Sequence, residues 1–130
     1  MTDMAYILER EKTDTTPYVL ISVVEKKGYM RFEGESYHEN LLEFFNEIFD
    51  WLNRFLKTDF DSFTFDCELR YFNSATVKLL LNMLLNMDNA NNCENITVNW
   101  ITTANNKIIT ECGEDFKEDL ENLTFNLVIK

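Results

Sequence analysis

The stretch from Phe63 to Tyr71, FTFDCELRY, alternates strictly between apolar and polar side chains. Because successive side chains of a strand point to opposite faces of a sheet, this pattern predicts a strand with one apolar and one polar face. A strand that is covered by helices on both faces reads as a continuous apolar run instead. We therefore predict an α/β fold in which helices cover only one face of the sheet.

Two further strand-like segments precede this stretch. Residues Tyr18–Val24 and Tyr29–Glu33 are rich in β-branched and aromatic residues, and the sequence EKKG at 25–28 between them supplies a glycine suited to a hairpin turn. This pattern predicts an N-terminal β-hairpin. The polar, Thr-rich residues 1–16 show no sustained period and are predicted to be a partly ordered leader, which leaves 17–130 as a single domain.

Apolar residues at three- and four-residue steps predict a first helix that ends near Lys57. The sequence SYHE at 36–39 matches a capping box, in which the Ser and Glu side chains satisfy exposed N–H groups, so the helix is expected to follow it directly. The apolar stripe consists of Leu41, Phe45, Ile48, Leu52 and Phe55.

Two more helices and two more strands are predicted downstream. The second helix starts after the N-cap residue Asn73, with an apolar side formed by Val77, Leu80, Leu81, Leu84 and Met87. The third helix carries Ile109, Cys112, Phe116 and Leu120, and tolerates Gly113 at some cost. Strands are predicted at Ile96–Trp100 and Phe125–Ile129. The order β-β-α-β-α-β-α-β gives a mixed sheet of about five strands, and right-handed crossovers place the three helices on one face.

Composition and charge exclude several classes of function. The chain has 130 residues and a net charge of −11, without a basic cluster that could neutralise nucleic-acid phosphates. Direct partners are therefore expected to be proteins. The three cysteines show no C-x-x-C spacing, which predicts neither a disulfide framework nor a zinc site. The sequence has neither a signal-peptide pattern nor a stretch long enough to span a bilayer, so we expect a soluble cytoplasmic protein without membrane insertion.

Residues that could perform chemistry are few. The single histidine, His38, lies within the SYHE segment and has no nucleophile or carboxylate at a recognisable spacing. Cys67 and Cys112 fall on apolar faces, and the acidic residues between 111 and 121 follow the outer face of a helix without the glycine-centred loop of an EF-hand. No glycine-rich phosphate-binding loop occurs. We predict a protein that is not an enzyme and holds no metal or cofactor.

Four short segments resemble the SiaC family of bacterial regulatory phosphoproteins. They are GESYHEN at 34–40, DWLNRFL at 50–56, YFNSATVK at 71–78 and EDFKED at 114–119, and the similarity extends from about Pro17 to Val128. From periodicity alone, the third segment is an ordinary strand that runs into a capped helix. The resemblance implies instead that it is a control point.

The resemblance implies a STAS-like fold, similar to that of anti-sigma-factor antagonists, and a phosphorylation switch. In the family a dedicated Ser/Thr kinase and a PP2C-type phosphatase act at the start of the second helix. The unphosphorylated form binds a target, in one branch a diguanylate cyclase that it activates, which would connect this chain to c-di-GMP and biofilm signalling. By position the phosphoacceptor is Ser74, with Thr76 as second choice. The partner-binding residues implied are Tyr71, Phe72, Asn73, Ser74, Thr76 and Lys78.

The sequence departs from the family pattern at two positions. Family members often have Thr where Ser74 stands and commonly Pro where His38 stands. A second hypothesis is a STAS-like module that binds a small ligand or lipid in an apolar pocket between the second helix and its neighbouring strands. An enzyme that uses Ser74 or His38 is disfavoured, because no base is paired with either residue.

Overall fold

The computed structural model describes residues 6–130, which form a six-stranded mixed sheet and three α-helices. The strands follow one another across the sheet in chain order, β1 to β6. The elements are β1 (Tyr6–Arg10), β2 (Tyr18–Val24), β3 (Lys27–Ser36), α1 (Leu41–Leu56), β4 (Ser62–Phe72), α2 (Ser74–Asp88), β5 (Ile96–Thr102), α3 (Lys107–Asp119) and β6 (Thr124–Ile129).

The first three strands are antiparallel, whereas β3 to β6 are parallel and each pair is connected by a helix. Strand β1 lies within the segment predicted to be a leader, of which residues 1–5 are outside the described residues. The mixed α/β architecture is as predicted. The predicted count of about five strands is one too low, because β1 adds an antiparallel strand next to β2.

The hairpin turn between β2 and β3 differs from the prediction. Its two central residues are Glu25 and Lys26, with φ values of 52° and 67°, as expected for a two-residue turn of the I′ type. Gly28 lies in β3, opposite Val23, and a Cβ at this position would come within 2.6 Å of the Phe55 ring. The glycine is therefore needed for close packing of α1 on the sheet, and the turn does not depend on it.

The predicted capping box does not form. Ser36 is the last residue of β3, and the N-cap of α1 is Asn40, whose side chain accepts a hydrogen bond from the backbone N–H of Glu43 at 3.3 Å. The helix consequently begins at Leu41. Its predicted apolar stripe is buried throughout, so the periodicity identified this helix correctly although the proposed start signal was wrong.

The core lies between the three helices and one face of the sheet. Phe32, Phe65 and Trp100, from three neighbouring strands, are each no more than 1% exposed on this face. Gly113 of α3 lies against Trp100, and a Cβ there would come within 2.4 Å of the indole ring. The close approach of α3 to β5 therefore requires this glycine, whereas the sequence predicted only that the helix tolerates it. The Trp100 indole N–H also donates to the Ile109 carbonyl at 2.9 Å, which adds a hydrogen bond between β5 and α3.

The opposite face of the sheet is polar. Its central guanidinium, Arg31, contacts the Glu68 carboxylate at 2.6 Å, and the Tyr29 hydroxyl donates to Asp66 at 2.8 Å. The pKa of Glu68 is affected in two ways: partial burial acts to raise it, but Lys130 and Arg31 outweigh this and lower it. None of the helices in residues 6–130 is both long and apolar enough to cross a membrane.

Candidate functional site

The candidate site lies where the parallel strands end and the helices begin. Because β3 to β6 run in the same direction, the amino ends of α1, α2 and α3 meet the same edge of the sheet, which we call the carboxyl edge. Each helix begins with an asparagine cap, namely Asn40, Asn73 and Asn106, whose side-chain oxygen accepts a backbone N–H at 3.0–3.3 Å. The positive ends of three helix dipoles therefore face this edge.

A β-bulge at the end of β4 turns Tyr71 outward. Gly34 pairs with Leu69 and the next residue of β3 pairs with Tyr71, so Arg70 is the extra residue on the β4 side. The sequence pattern placed Tyr71 on the apolar side with Leu69, and this is wrong: its side chain is 55% exposed. Phe72 turns toward the helices instead, with its ring centroid 6.1 Å from that of Trp100.

Tyr71 makes an aromatic pair with Tyr37 at the carboxyl edge. The two rings meet edge to face with centroids 5.4 Å apart, and Tyr37 is itself 39% exposed. The sequence did not single out Tyr37, because it was placed inside a capping box that does not form. Large exposed aromatic side chains of this kind are enriched at protein–protein interfaces.

Ser74 and Thr76 are two residues apart but have opposite environments. Ser74 is the first residue of α2 and is exposed, whereas Thr76 is 0% exposed. The Thr76 hydroxyl lies 2.9 Å from the Ser36 carbonyl oxygen, 2.9 Å from Asn73 Oδ1 and 3.0 Å from the Ser36 hydroxyl. The Ser36 carbonyl and Asn73 Oδ1 can only accept, so the single hydroxyl hydrogen of Thr76 is shared between them, and the Ser36 hydroxyl donates to Thr76. This buried network, Ser36–Thr76–Asn73, joins the end of β3 to the start of α2.

Charged side chains also lie at the carboxyl edge. Glu35 is held between Arg70, at 3.1 Å, and Lys12, at 3.2 Å. Burial acts to raise the pKa of Glu35, but the two cations outweigh it and the pKa is lowered, which favours the ionised carboxylate. Lys78, in contrast, is exposed and makes no ion pair within residues 6–130. It lies four residues after Ser74, one helical turn further along the same side of α2.

The other residues considered for chemistry have structural roles. His38 Nδ1 accepts the backbone N–H of Asn40 at 3.0 Å, and no nucleophile or carboxylate of residues 6–130 is hydrogen-bonded to the imidazole. Burial raises the pKa of the Cys67 thiol, and it raises that of Cys112 to about 11. Both thiols are thus kept in the weakly reactive neutral form.

Two spaces bear on the ligand-binding hypothesis. A space between α2 and the sheet is lined by Phe32, Phe45 and Leu80, but it is too tight for a water molecule. A cleft of about 330 Å³ lies at the carboxyl edge and is lined by polar and apolar residues alike, including Glu68, Arg70, Thr102 and Asn106. Neither space has the combination of size and apolar lining that a lipid site requires.

Comparison with known proteins gives a consistent family match. A model of the SiaC family of regulatory phosphoproteins matches residues 10–130. An uncharacterised protein of Pseudomonas aeruginosa strain UCBPP-PA14 is 29% identical over 93 residues, which are 71% of this chain and 74% of that protein.

Solved structures share the fold. SiaC of Pseudomonas aeruginosa superposes with a TM-score of 0.81 at 25% identity, over 96% of this chain and 99% of the other. A chain in the crystal structure of the diguanylate cyclase SiaD in complex with its activator SiaC, also from Pseudomonas aeruginosa, gives a TM-score of 0.80 at 26% identity, over 95% and 99% of the two chains.

Proposed function

The chain belongs to the SiaC family of regulatory phosphoproteins, and on that premise we propose that it is a cytoplasmic switch protein without enzymatic activity of its own. Its unphosphorylated form binds and activates a diguanylate cyclase, as SiaC is an activator of SiaD. A Ser/Thr kinase and a PP2C-type phosphatase set its phosphorylation state. The observation that carries this proposal is an exposed hydroxyl, Ser74, beside an exposed aromatic pair at the carboxyl edge.

Ser74 is the acceptor that the geometry favours. A kinase must bring a hydroxyl into line with the transferred phosphoryl group, and only an exposed side chain can enter its active site without local unfolding. Ser74 meets this requirement. Thr76 does not, because it is fully buried and its hydroxyl is held by Ser36 and Asn73.

A phosphate on Ser74 is compatible with the fold. It would lie at the amino end of α2, where free N–H groups and the helix dipole favour negative charge. Lys78, one turn along, offers a cation to the phosphate. Phosphorylation is therefore expected to leave the domain folded and to act at its surface.

Phosphorylation of Ser74 is expected to affect the surface around Tyr71 at the carboxyl edge. Roughly two negative charges and the bulk of a phosphate are added beside this aromatic residue. A partner that covers the site would have to desolvate the dianion, which is costly unless the partner supplies cations. Binding of the partner and phosphorylation are thus expected to exclude each other.

The test combines mass spectrometry with a binding measurement. The protein is incubated with ATP and a Ser/Thr kinase from the same genome, and the phosphate is located. The affinity of each form for a diguanylate cyclase of that genome is then measured by calorimetry. We expect modification of wild type and of Thr76→Val, none of Ser74→Ala, and binding by the unphosphorylated form alone. Phosphate on neither residue, or equal affinity of both forms for the cyclase, would refute the switch.

A further inference from the structure

The two edge strands of the sheet differ in charge. Within residues 6–130, β1 and β6 each pair on one side only, so each directs a row of backbone N–H and C=O groups outward. Two of the five residues of β1 are charged, Glu9 and Arg10, and Arg10 also forms an ion pair with Glu47 of α1. Charged side chains on an edge strand are a common means of preventing it from pairing with another chain.

Strand β6 has no such charges. Its six residues, TFNLVI at 124–129, include no charged residue, proline or glycine, and four of them are β-branched or aromatic. Val128 is 38% exposed and Ile129 is 48% exposed. An uncharged, partly apolar edge of this composition is suited to the addition of another strand.

The backbone groups that β6 leaves free follow from its pairing with β5. The Lys130 N–H donates to the Thr102 carbonyl at 2.8 Å, so the N–H of Lys130 faces β5. Because backbone groups alternate in direction along a strand, those of Phe125, Leu127 and Ile129 face away from β5. These three residues therefore offer hydrogen-bond donors and acceptors to a new strand.

Helix α3 covers β6 without blocking its free edge. A Cβ on Gly113 would come within 2.4 Å of Trp100 in β5 and 3.0 Å of Leu127 in β6, so the helix lies over the gap between these two strands. A second sheet that continued from β6 would bring its own helix two strand spacings away, at about 10 Å. This is an ordinary distance between packed helices.

We propose that β6 pairs antiparallel with β6 of a second copy of this chain, so that the sheets of a symmetric dimer are continuous. A two-fold axis at Leu127 places this residue opposite its own counterpart and Phe125 opposite Ile129. The three outward N–H groups of each copy then donate to the other copy, which gives six hydrogen bonds. On the open face, Asn126 lies opposite Val128, so the pairing buries no charge.

The pattern of β6 favours a second copy as the occupant of this edge. In the antiparallel register, apolar side chains meet apolar side chains on the helix-covered face, and the exposed side of Ile129 is covered. The net charge of −11 and the acidic α3 helices of the two copies repel each other, and salt screens this repulsion. The buried surface is that of one strand and one helix side, so we expect a weak, concentration-dependent dimer.

The dimer leaves the proposed phosphorylation site free. Strand β4, which leads to Ser74, is separated from β6 by β5. Because the antiparallel pairing reverses the second sheet, the Ser74 residues of the two copies lie at opposite ends of the dimer. Failure of the dimer would therefore leave the proposed function standing, and the reverse also holds.

The first test makes the same substitution at both edges of the sheet. Sedimentation equilibrium of the full chain is measured for wild type, Ile129→Asp and the matched control Ile7→Asp, which changes an exposed isoleucine of β1. We expect Ile129→Asp to raise the dissociation constant of the dimer at least tenfold, because its carboxylate would be buried against Phe125 of the other copy. The control should change it less than twofold. A wild-type protein that stays monomeric up to about 500 µM, or equal weakening by both variants, would overturn the proposal.

The second test determines the register without altering Ile129. In a Cys93→Ser background, Asn126→Cys and Val128→Cys are oxidised separately and as a mixture. Residues directly opposite each other in such a non-hydrogen-bonded pair have Cα atoms about 4.5 Å apart, which a disulfide can span. We expect a cross-linked dimer from the mixture and little from either variant alone. Equal cross-linking in all three samples, or none in any, would overturn the pairing even where Ile129→Asp is too unstable to interpret.

The salt dependence tests the chemistry of the contact. Since the two copies carry like charge and the paired strands carry none, raising NaCl from about 50 mM to about 300 mM should tighten the dimer. A dimer that weakens over this range would be held by attraction between opposite charges. That result would overturn the uncharged β6 pairing.

Discussion

The two ends of α2 are both anchored by buried polar side chains, but only one end carries an exposed hydroxyl. At the start of α2, the Thr76 hydroxyl is hydrogen-bonded to Ser36 and Asn73, whereas Ser74 is exposed and takes no part in this network. At the other end, Asp88 is 5% exposed and accepts three backbone N–H groups, those of residues 121, 122 and 123, at 2.8–3.1 Å.

The difference separates the residues that anchor α2 from the residue that we propose is phosphorylated. At the Asp88 end, the side chain that faces the loop is fully used in hydrogen bonds, so any change there costs stability. At the Ser74 end, stability depends on Thr76, while Ser74 makes no side-chain hydrogen bond within the described residues. A group can therefore be added to Ser74 or removed from it without loosening the helix. Four predictions test this separation.

Asp88→Ala should have the largest effect. Three backbone N–H groups would lose their acceptor in a partly buried loop, which we expect to lower the free energy of unfolding by about 3 kcal/mol. Urea denaturation of wild type and variant measures the difference. Asp115→Ala, which removes an exposed carboxylate, is the control and should stay within about 0.5 kcal/mol of wild type. Equal losses in both variants would show that Asp88 is no anchor.

Thr76→Val should have the next largest effect. It preserves the shape of the side chain but leaves the Ser36 hydroxyl without its partner, and we expect a loss of about 1.5 kcal/mol in urea denaturation. Thr76→Ser keeps the hydroxyl and should recover part of the loss. A fully stable valine variant would mean that the buried network does not anchor α2.

Of the two buried polar anchors, Asp88 and Thr76, only Asp88 should show a pH dependence in acid. Burial acts to raise the pKa of Asp88, but the three N–H donors outweigh it and lower the pKa. Its contribution to stability is therefore complete above the unfolded-state value, near 4, and is lost as the pH falls through the lower folded value. The difference in unfolding free energy between wild type and Asp88→Asn should narrow from pH 6 to pH 2. The difference between wild type and Thr76→Val should not, since no proton is involved.

Ser74→Ala should have the smallest effect on stability. An exposed first-turn serine contributes little, and alanine is a good helix former, so we expect a change within about 0.5 kcal/mol in urea denaturation. The same variant should lose all phosphate incorporation. A marked loss of stability would mean that Ser74 is itself part of the anchor, and the separation between the two roles would fail.

Local patterns predicted most of the fold. The alternation from Phe63 to Leu69 and the spacing of the α1 stripe each depend on neighbours in the sequence, and both were confirmed. Strand β1 was not predicted, because Ile7 and Leu8 are adjacent apolar residues and give no alternation; only Leu8 is buried. The assignment to STAS-like folds stays a prediction.

The features of the site that the sequence did not reveal depend on distant residues. Exposure of Tyr71 results from the register between β4 and β3, and the capping box failed because Ser36 bonds Thr76, 40 residues away. Gly113 is required by Trp100, which lies in another element. Ser74 was identified through resemblance alone.

The turn at Glu25 and Lys26 gives experimenters a place to attach a reporter. It joins β2 to the amino end of the ten-residue strand β3, so it lies roughly 30 Å from the carboxyl edge. Lys130 is a poorer choice for a label, because its backbone N–H donates to Thr102 and its amine pairs with Glu68 near that edge. A fluorophore on the turn would report partner binding through its anisotropy without obstructing Ser74.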